Sequence, residues 1–462
     1  ISMDGVPEAY IALFTAESLE KMFEWQPMIQ RKADEARPWD VAKMDFVRNV
    51  FGLALDTFPQ DRAVLMMWLE WEAAMSVDDA LAKGKELLQR HRTDVVLWVF
   101  YAQLLHRNRQ FDRSWGVFTK VINEALPQTS PQQQASVGPW IYRNYAEAVL
   151  FQTVQKSGQQ QHKPLAASVV APVVAILCAC VDKKKVSAAK AVTADGAPRT
   201  RVLQAHKLYD KALAPLLQSH AGDEAANLYM LLEYLMCYAM LLYLTKGWVE
   251  GVHLFEQVVK ADTIAAGTTE HQYLWLLYLK YAHIPLRLQQ RTVPQRLLSI
   301  TRRAAVLYPF HPQFVALHVK AEVRTGMAYR CRQFLARVCE STKSPLVYLY
   351  SVLTELHVLP PSPGLRSKVR NLLERGLAII KDQQQVILWL MYLRIEAGCG
   401  TPDTFKSILY RAMDTCSSIK SMWLSAFRVN AQQTPAEELH ELINLMTEKD
   451  IRLRTFVEET KV

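Results

Sequence analysis

The sequence predicts an all-α fold, an α-solenoid of antiparallel helix pairs, on three observations. Aromatic residues recur inside helical patterns at intervals of about one helix pair. The composition favours helix: Leu, Ala, Lys, Arg and Gln are plentiful, with 16 Gly and 21 Pro in 462 residues. Runs that alternate apolar and polar residues, the mark of half-buried strands, are few. Half of the residues are apolar, enough for a sizeable core. The chain is too long for one simple globular core unless the fold is elongated.

In chain order the aromatic anchors are Trp68, Trp98, Trp140, Tyr234, Trp275, Phe314, Tyr348, Trp389 and Trp423. The steps from Trp275 onward are 39, 34, 41 and 34 residues, and the first two steps of the chain are 30 and 42. A two-helix unit with its turns takes roughly 34 to 42 residues. Four of the nine anchors pair with an aromatic three residues on: Trp68 with Trp71, Trp98 with Tyr101, Trp275 with Tyr278, Trp389 with Tyr392. In the stretch WLMYLRIEAG, Trp389, Tyr392 and Glu396 stand at offsets 0, 3 and 7 and so share one helix face. Gly398 predicts a turn just beyond. The second helix of each unit pairs a basic residue with a small one, at Lys211-Ala212, Arg303-Ala304, Arg375-Gly376 and Arg411-Ala412. The small residue lets that helix approach the aromatic stripe closely. The basic one extends to solvent or to an acidic residue. Aromatics at helical spacing are core, so Trp68, Trp98, Trp275, Trp389, Tyr392 and Trp423 are read as structural anchors of the repeat and not as ligand sites.

Trp389, Tyr392 and Glu396 match the first helix of the half-a-tetratricopeptide (HAT) repeat, and the Arg-Ala element resembles its second helix. The array is therefore HAT/TPR-like by resemblance. Some units depart from it. Trp98 and Tyr101 are followed by Leu105 where Glu belongs, Trp423 has Ala426 in place of Tyr, and the aromatic pair is lost around Phe314. The organisation expected is N-terminal helical repeats over 1–156, an insertion over 157–201 and C-terminal HAT-like repeats over 202–462, in one continuous solenoid. The insertion holds an uncharged run, Leu165 to Val181, and then a polar loop. The run is short for a membrane span and contains Pro172, so it reads as a buried helix beginning near that proline, with a membrane helix as the alternative. Lys183 to Lys185 match part of a nuclear import signal as well as they match a solvated loop.

The chain opens at Ile1, which reads as part of a longer protein, and residues 1–30 mix charges among apolar positions unlike a secretory leader. Seven scattered cysteines point to a reducing compartment. No phosphate loop, dinucleotide fingerprint, zinc-protease motif or nucleophile elbow is present, and no enzyme and no cofactor are expected. Cys178 and Cys180 lie two apart on a helix, about 200° around it, so they read as small buried hydrophobes and not as a metal pair. His311 and His318, seven apart, have no Cys or carboxylate partner at ligand spacing. Glu70 and Glu72, and Glu437-Glu438 with Glu441, read as solvated polar faces or intrahelical ion pairs.

The net charge of +9 is concentrated. Between His271 and Cys339 lie eleven basic residues and one acid, Glu322, so this segment carries +10 and the rest of the chain −1. Nine of the eleven are arginines: Arg287, Arg291, Arg296, Arg302, Arg303, Arg324, Arg330, Arg332 and Arg337. Lys280 and Lys320 complete the set. Arginine suits bidentate contact with carboxylate or phosphate. These nine are the candidate binding residues, for an acidic protein segment by preference or for an RNA backbone. Tyr308, Phe310 and Tyr329 are the aromatics available for base stacking. A plain solvated face is the third reading.

The closing run Glu441 to Arg454, the Trp68-Leu-Glu-Trp-Glu72 unit and FDRSWGVFTKVI at 111–122 resemble the C-terminal HAT-repeat half of the nuclear RNAi-defective-two (NRDE-2-like) family. The resemblance covers nearly the whole chain. It implies a nuclear, non-enzymatic scaffold of the nucleoplasm or nuclear speckle. Its implied roles are nuclear RNA silencing, exosome regulation through a DExH RNA helicase, and splicing. The family's helicase-binding segment precedes the repeats, so the implied partner of this region is a helical or extended segment of a splicing-associated coiled-coil protein. Other HAT-repeat families, serving 3′-end cleavage, spliceosome or pre-ribosome assembly, share the level of nuclear RNA processing.

Overall fold

The computed structural model describes residues 41–156, 167–182, 198–217, 225–261, 263–288, 295–325, 328–341, 343–358, 363–380, 385–399, 401–420, 422–424, 427, 436–449 and 451. Among them every regular element is a helix. They divide into two compact units, one of residues up to Ile300 and one from Thr301 on.

The first unit holds α1 (Val41–Thr57), α2 (Arg62–Met75), α3 (Val77–Arg90), α4 (Val95–Arg107), α5 (Phe111–Lys120), α6 (Pro131–Lys156) and α7 (Ala167–Asp182). It continues with α8 (Arg199–Leu217), α9 (Ala225–Thr245), α10 (Trp248–Ala261), α11 (Thr269–Ala282) and the start of α12 (Gln295–Leu307). The second holds the rest of α12, then α13 (Pro312–Arg324), α14 (Ala328–Ser341), α15 (Pro345–Val358), α16 (Pro363–Ile379), α17 (Gln385–Cys399), α18 (Pro402–Thr415) and α19 (Ala436–Glu448).

Local chemistry sets the helix starts. Asp61, Ser76, Asp94 and Thr268 each accept a backbone N–H from the first turn of the helix they precede, which satisfies donors that have no partner within the helix. Thr401 and Thr404 cap each other at the start of α18, with Pro402 at the first helical position. Consecutive helices pack in pairs, α2 on α3, α4 on α5, α9 on α10, α14 on α15 and α17 on α18. First helices also stack on one another: α2 on α4 on α6 in the first unit, α13 on α15 on α17 in the second. This two-helix periodicity is the α-solenoid packing of HAT/TPR-like antiparallel pairs.

The apolar run in the insertion is helix α7, buried against α6, α8 and α9. It starts at Ala167, five residues before the expected start, so Pro172 lies in the second turn. The proline forgoes one backbone bond to the carbonyl of residue 168, and dense packing offsets that loss. Lys183 to Lys185 lie outside the described residues. The more membrane-like stretch is Leu228–Thr245 in α9, long and apolar enough to cross a bilayer. Packing accounts for its composition, because α9 touches α6, α7, α8, α10 and α11. A helix covered on several sides is apolar all round.

Trp140, Trp275, Phe314, Tyr348, Trp389 and Trp423 are buried, as expected of anchors, whereas Trp68, Trp98 and Tyr234 are only half-buried. A helix turns 100° per residue, so the inward position in α2 belongs to Leu65 and Leu69, and Trp68 carries Lys83 over its ring at 5.5 Å. Trp98 likewise lies under Lys120 at 5.9 Å. In α9 the inward residues near Tyr234 are Tyr229 and Glu233.

The small residues of the second helices do what their size permits. A Cβ on Gly376 would meet the Tyr348 ring at 3.1 Å and Leu388 at 3.2 Å. The pair Lys83-Gly84 belongs to the same class, although only the structure reveals it: a Cβ on Gly84 would stand 2.7 Å from Tyr101. Lys211-Ala212 departs, with Ala212 half-buried and Leu213 facing inward. The closest approach is at Gly251, where a Cβ would come within 2.2 Å of the Tyr281 hydroxyl. Tyr281 is fully buried and donates to the Trp248 carbonyl at 2.8 Å, so its ring has nowhere to move. Gly251→Ala should therefore destabilise the first unit by about 1–3 kcal/mol through overpacking. A chemical-denaturation midpoint equal to wild type would show that α10 can shift away.

Candidate interaction surface and the ion pairs beneath it

Underneath the surface, carboxylates on the first helices hold the repeats together. Glu72 of α2 is fully buried, which corrects the reading of it as a solvated residue. It lies seven residues after Leu65 and so faces inward, where Lys83 of α3 bonds it and Arg48 of α1 stands at 3.5 Å. Glu70 is half-buried and meets Arg107 at 3.4 Å. Glu441 is exposed, as expected. The side chains of Glu437 and Glu438 lie outside the described residues.

The same geometry recurs at Glu355 of α15, held by Arg332 of α14 at 3.0 Å. In the best-matched unit, Glu396 of α17 accepts from Arg370 at 2.5 and 2.6 Å, from Arg366 at 3.0 Å and from Thr404 at 3.3 Å. Burial opposes its ionisation, but the hydrogen bonds from Arg370 and Arg366 outweigh this and hold the carboxyl below its usual range. In the first unit, Glu233 of α9 receives Arg143 of α6 at 2.5 Å and the Tyr273 hydroxyl of α11. The signal for these groups is present in the sequence as a carboxylate at offset 7: Leu65/Trp68/Glu72, Trp140/Arg143/Glu147, Val315/His318/Glu322, Tyr348/Ser351/Glu355 and Trp389/Tyr392/Glu396. Following the aromatics alone misses it at Glu72 and Glu322, where the first position is Leu65 or Val315. Arg411 shows the expected reach of the Arg-Ala element, bonding Glu374 at 2.8 and 2.9 Å and lying 5.4 Å from the Trp389 ring.

The nine candidate arginines are distributed unevenly. The side chains of Arg287, Arg291 and Arg324 lie outside the described residues. Arg296 belongs to the first unit and contacts His253 at 3.3 Å. Arg332 is half-buried on Glu355, so its guanidinium serves the fold. Arg302 and Arg303 of α12, and Arg330 and Arg337 of α14, are exposed in the second unit. Arg302 lies 5.7 Å from the Phe334 ring of α14, and both Arg302 and Arg330 act on Glu322 of α13. Burial raises the Glu322 carboxyl above its usual range, and the two guanidinium groups counter this in part. These contacts bring the exposed faces of α12 and α14 together. Of the aromatics, Tyr308 packs against Phe314 at 5.5 Å, while Phe310 and Tyr329 are exposed.

His318 is a core residue, and His311 is half-buried. His311 stacks on Phe314 at 4.2 Å, and His318 meets the Thr301 hydroxyl at 3.1 Å and the Phe334 ring edge-on at 4.3 Å. Burial pushes both imidazoles down to about 4, with Arg302 adding to the effect at His318. A histidine with a depressed pKa favours the folded state only while neutral. Stability is therefore complete above the ordinary value of 6.5 and is lost as pH falls from 6.5 toward 4. At about 1.4 kcal/mol per unit, each should cost the second unit about 2 kcal/mol at pH 5. Denaturation of wild type and His318→Asn at pH 7 and pH 5 checks this, and equal losses in both proteins would remove His318 as the cause. Cys178 and Cys180 are buried, and burial pushes the Cys178 thiol up to about 11, so it is not a thiolate at neutral pH. Among the described residues no three His, Cys, Asp or Glu side chains group as metal ligands.

No protein-family profile matches the sequence. Among curated proteins the chain is similar to the nuclear exosome regulator NRDE2 of Mus musculus, 24% identical over 305 residues, 57% of this chain and 25% of that protein. The Homo sapiens protein of the same name is 22% identical over 303 residues, 56% of this chain and 25% of that protein. The Dictyostelium discoideum protein of that name is 22% identical over 244 residues, 48% of this chain and 18% of that protein. The matches thus span a quarter or less of the relatives' own length. Among solved structures, a chain of the Naa15/Naa10 complex bound to HypK-THB aligns with 88% of this chain and 66% of its own length, at 13% identity and a TM-score of 0.27. Yeast Tom70 aligns with 87% of this chain and 99% of its own length, at 10% identity and a TM-score of 0.24. The fold assignment rests on the helix packing, not on these superpositions. All three relatives carry the same name, and the chain is thus similar to NRDE2 proteins over about half of its length, in keeping with the NRDE-2-like resemblance of its motifs.

Proposed function

We propose that this chain is a non-catalytic nuclear scaffold whose helix pairs hold protein partners in exosome regulation and RNA processing, including silencing and splicing. The observation that carries the reading is the similarity to curated nuclear exosome regulators over 305 residues, in a chain built of stacked helix pairs. The buried sides of these pairs are occupied by aromatics and ion pairs, which leaves their outer faces for partners. The partner class is a helical or extended segment, of the kind a splicing-associated coiled-coil protein would offer. A pull-down from nuclear extract with this chain as bait, with and without RNase, tests the proposal. Stoichiometric RNA-processing proteins that survive RNase are the expected result. Loss of all recovery on RNase treatment would sink the protein-scaffold reading.

The second reading, RNA-backbone binding, rests on the exposed Arg302, Arg303, Arg330 and Arg337, with Tyr329 exposed on the same helix as the last two. It predicts an affinity for RNA that falls steeply with salt. Under either reading Arg302→Glu with Arg303→Glu should keep the helical circular dichroism, lower the melting temperature only modestly through the lost Phe334 contact, and weaken the ligand held by this surface, because both side chains are exposed. Wild-type affinity for every ligand found would remove the arginines from the site.

A further inference from the structure

The basic surface of the second unit is also apolar. On α12, Arg302, Arg303, Val306 and Leu307 stand at successive i, i+4 positions of one face, and all four are exposed, Val306 by 55% and Leu307 by 49%. On α14, Tyr329 is 67% exposed beside Arg330. The two helices are neighbours through Arg302 and Phe334. Exposed apolar residues taken singly are ordinary, but aliphatics in register with arginines, one turn apart, form a composite stripe.

We infer that Arg302, Arg303 and Arg330, with Val306, Leu307 and Tyr329, form a docking surface for an acidic amphipathic helix of a partner protein. This deepens the scaffold reading and rests on it. The charge argument is complementarity. On the second-unit part of α12 and on α14 the exposed charges are Arg302, Arg303, Arg330 and Arg337 against Glu340, so a carboxylate-rich partner is favoured at this surface. The apolar argument selects protein over nucleic acid. Val306 and Leu307 gain from burial against aliphatic side chains, and a sugar–phosphate backbone offers them none. The spacing selects a helix. A cationic turn followed by an apolar turn, about 6 Å apart along α12, matches a helix that presents carboxylates on one turn and leucines on the next. Arginine forks pair with carboxylates in a bidentate manner, and the apolar turn supplies anchors that salt does not screen.

The test uses the full chain and three fluorescent probes: a helical Glu/Leu amphipathic peptide, an oligo-Glu peptide of equal charge, and a single-stranded oligo(U) RNA. The Glu/Leu peptide should bind at least tenfold tighter than oligo-Glu. Arg302→Glu with Arg303→Glu, and separately Val306→Ser with Leu307→Ser, should each weaken it at least tenfold while circular dichroism keeps the wild-type helical signal. Equal binding of the two peptides, or indifference to the serine pair, would overturn the inference, as would tighter binding of oligo(U) than of the Glu/Leu peptide. A variant that combines both pairs of substitutions, used in the nuclear-extract pull-down, separates the two readings. RNase-resistant partners kept by the variant would leave the scaffold intact and remove this surface. A wild-type chain that captures none would remove the scaffold itself.

Discussion

Replacing Arg143 with methionine should destabilise the first unit by about 3–5 kcal/mol, the cost of leaving a buried carboxylate without its cation. Arg143 and Glu233 are both fully buried. The guanidinium donates to Glu233 at 2.5 and 3.4 Å and to Glu147 at 2.8 Å. Burial alone would lower the pKa of Arg143, yet Glu233 and Glu147 raise it well above its usual value. The pair joins α6 to α9, which are 90 residues apart in sequence at this contact. Removing the cation strands Glu233 with only the Tyr273 hydroxyl as donor among these groups. The double variant Arg143→Met with Glu233→Met should recover much of the loss, since an apolar pair of similar volume carries no desolvation cost. Urea denaturation of the three proteins measures this. A loss under about 1 kcal/mol in the single variant would mean that water reaches the site.

Trp389→Ala should cost the second unit about 3–5 kcal/mol, from lost transfer energy and the cavity left behind. Trp389 is buried, stacked on Tyr392 at 6.3 Å, with the Arg411 guanidinium 5.4 Å from its ring. The substitution removes the surface against which Arg411 is aligned, so the Arg411–Glu374 pair between α18 and α16 should loosen too. Trp389→Phe keeps most of the volume and should cost distinctly less. An unchanged melting temperature for the alanine variant would overturn the repeat register at the unit where the motif matches best.

Much of the fold is legible in the sequence because its strongest signal is local. Trp389, Tyr392 and Glu396 share a face by helical geometry alone, and the structure places all three inside α17. The role of Gly376 also follows from size, since a Cβ there would crowd Tyr348 at 3.1 Å. Register was harder to read. Trp68 and Trp98 drew attention as large aromatics, but Leu65 and Tyr101 lie deeper. A one-residue offset rotates a side chain by 100°, and an aromatic ring can sit half-buried under a lysine as comfortably as in the core. Glu72 departs from the sequence expectation for a related reason. A glutamate is ordinarily solvated, and it is buried here because Lys83 and Arg48 converge on it from two other helices.

The candidate surface divides in the same way. Residue order alone locates the positive charge in one segment, because charge is additive along a chain and needs no structure to count. Only the tertiary structure decided which arginines face outward. Arg332 and Arg330 are two residues apart, yet one is bound to Glu355 and the other is exposed, since helical geometry sends neighbouring side chains to opposite faces. The sequence by itself determined the helices, their pairing period and the sign of the surface, which are properties of residues a few positions apart. The buried ion pairs, the depth of each anchor and the meeting of α12 with α14 were decided by packing. They depend on contacts tens of residues apart along the chain, and burial there determines whether each charge needs a partner.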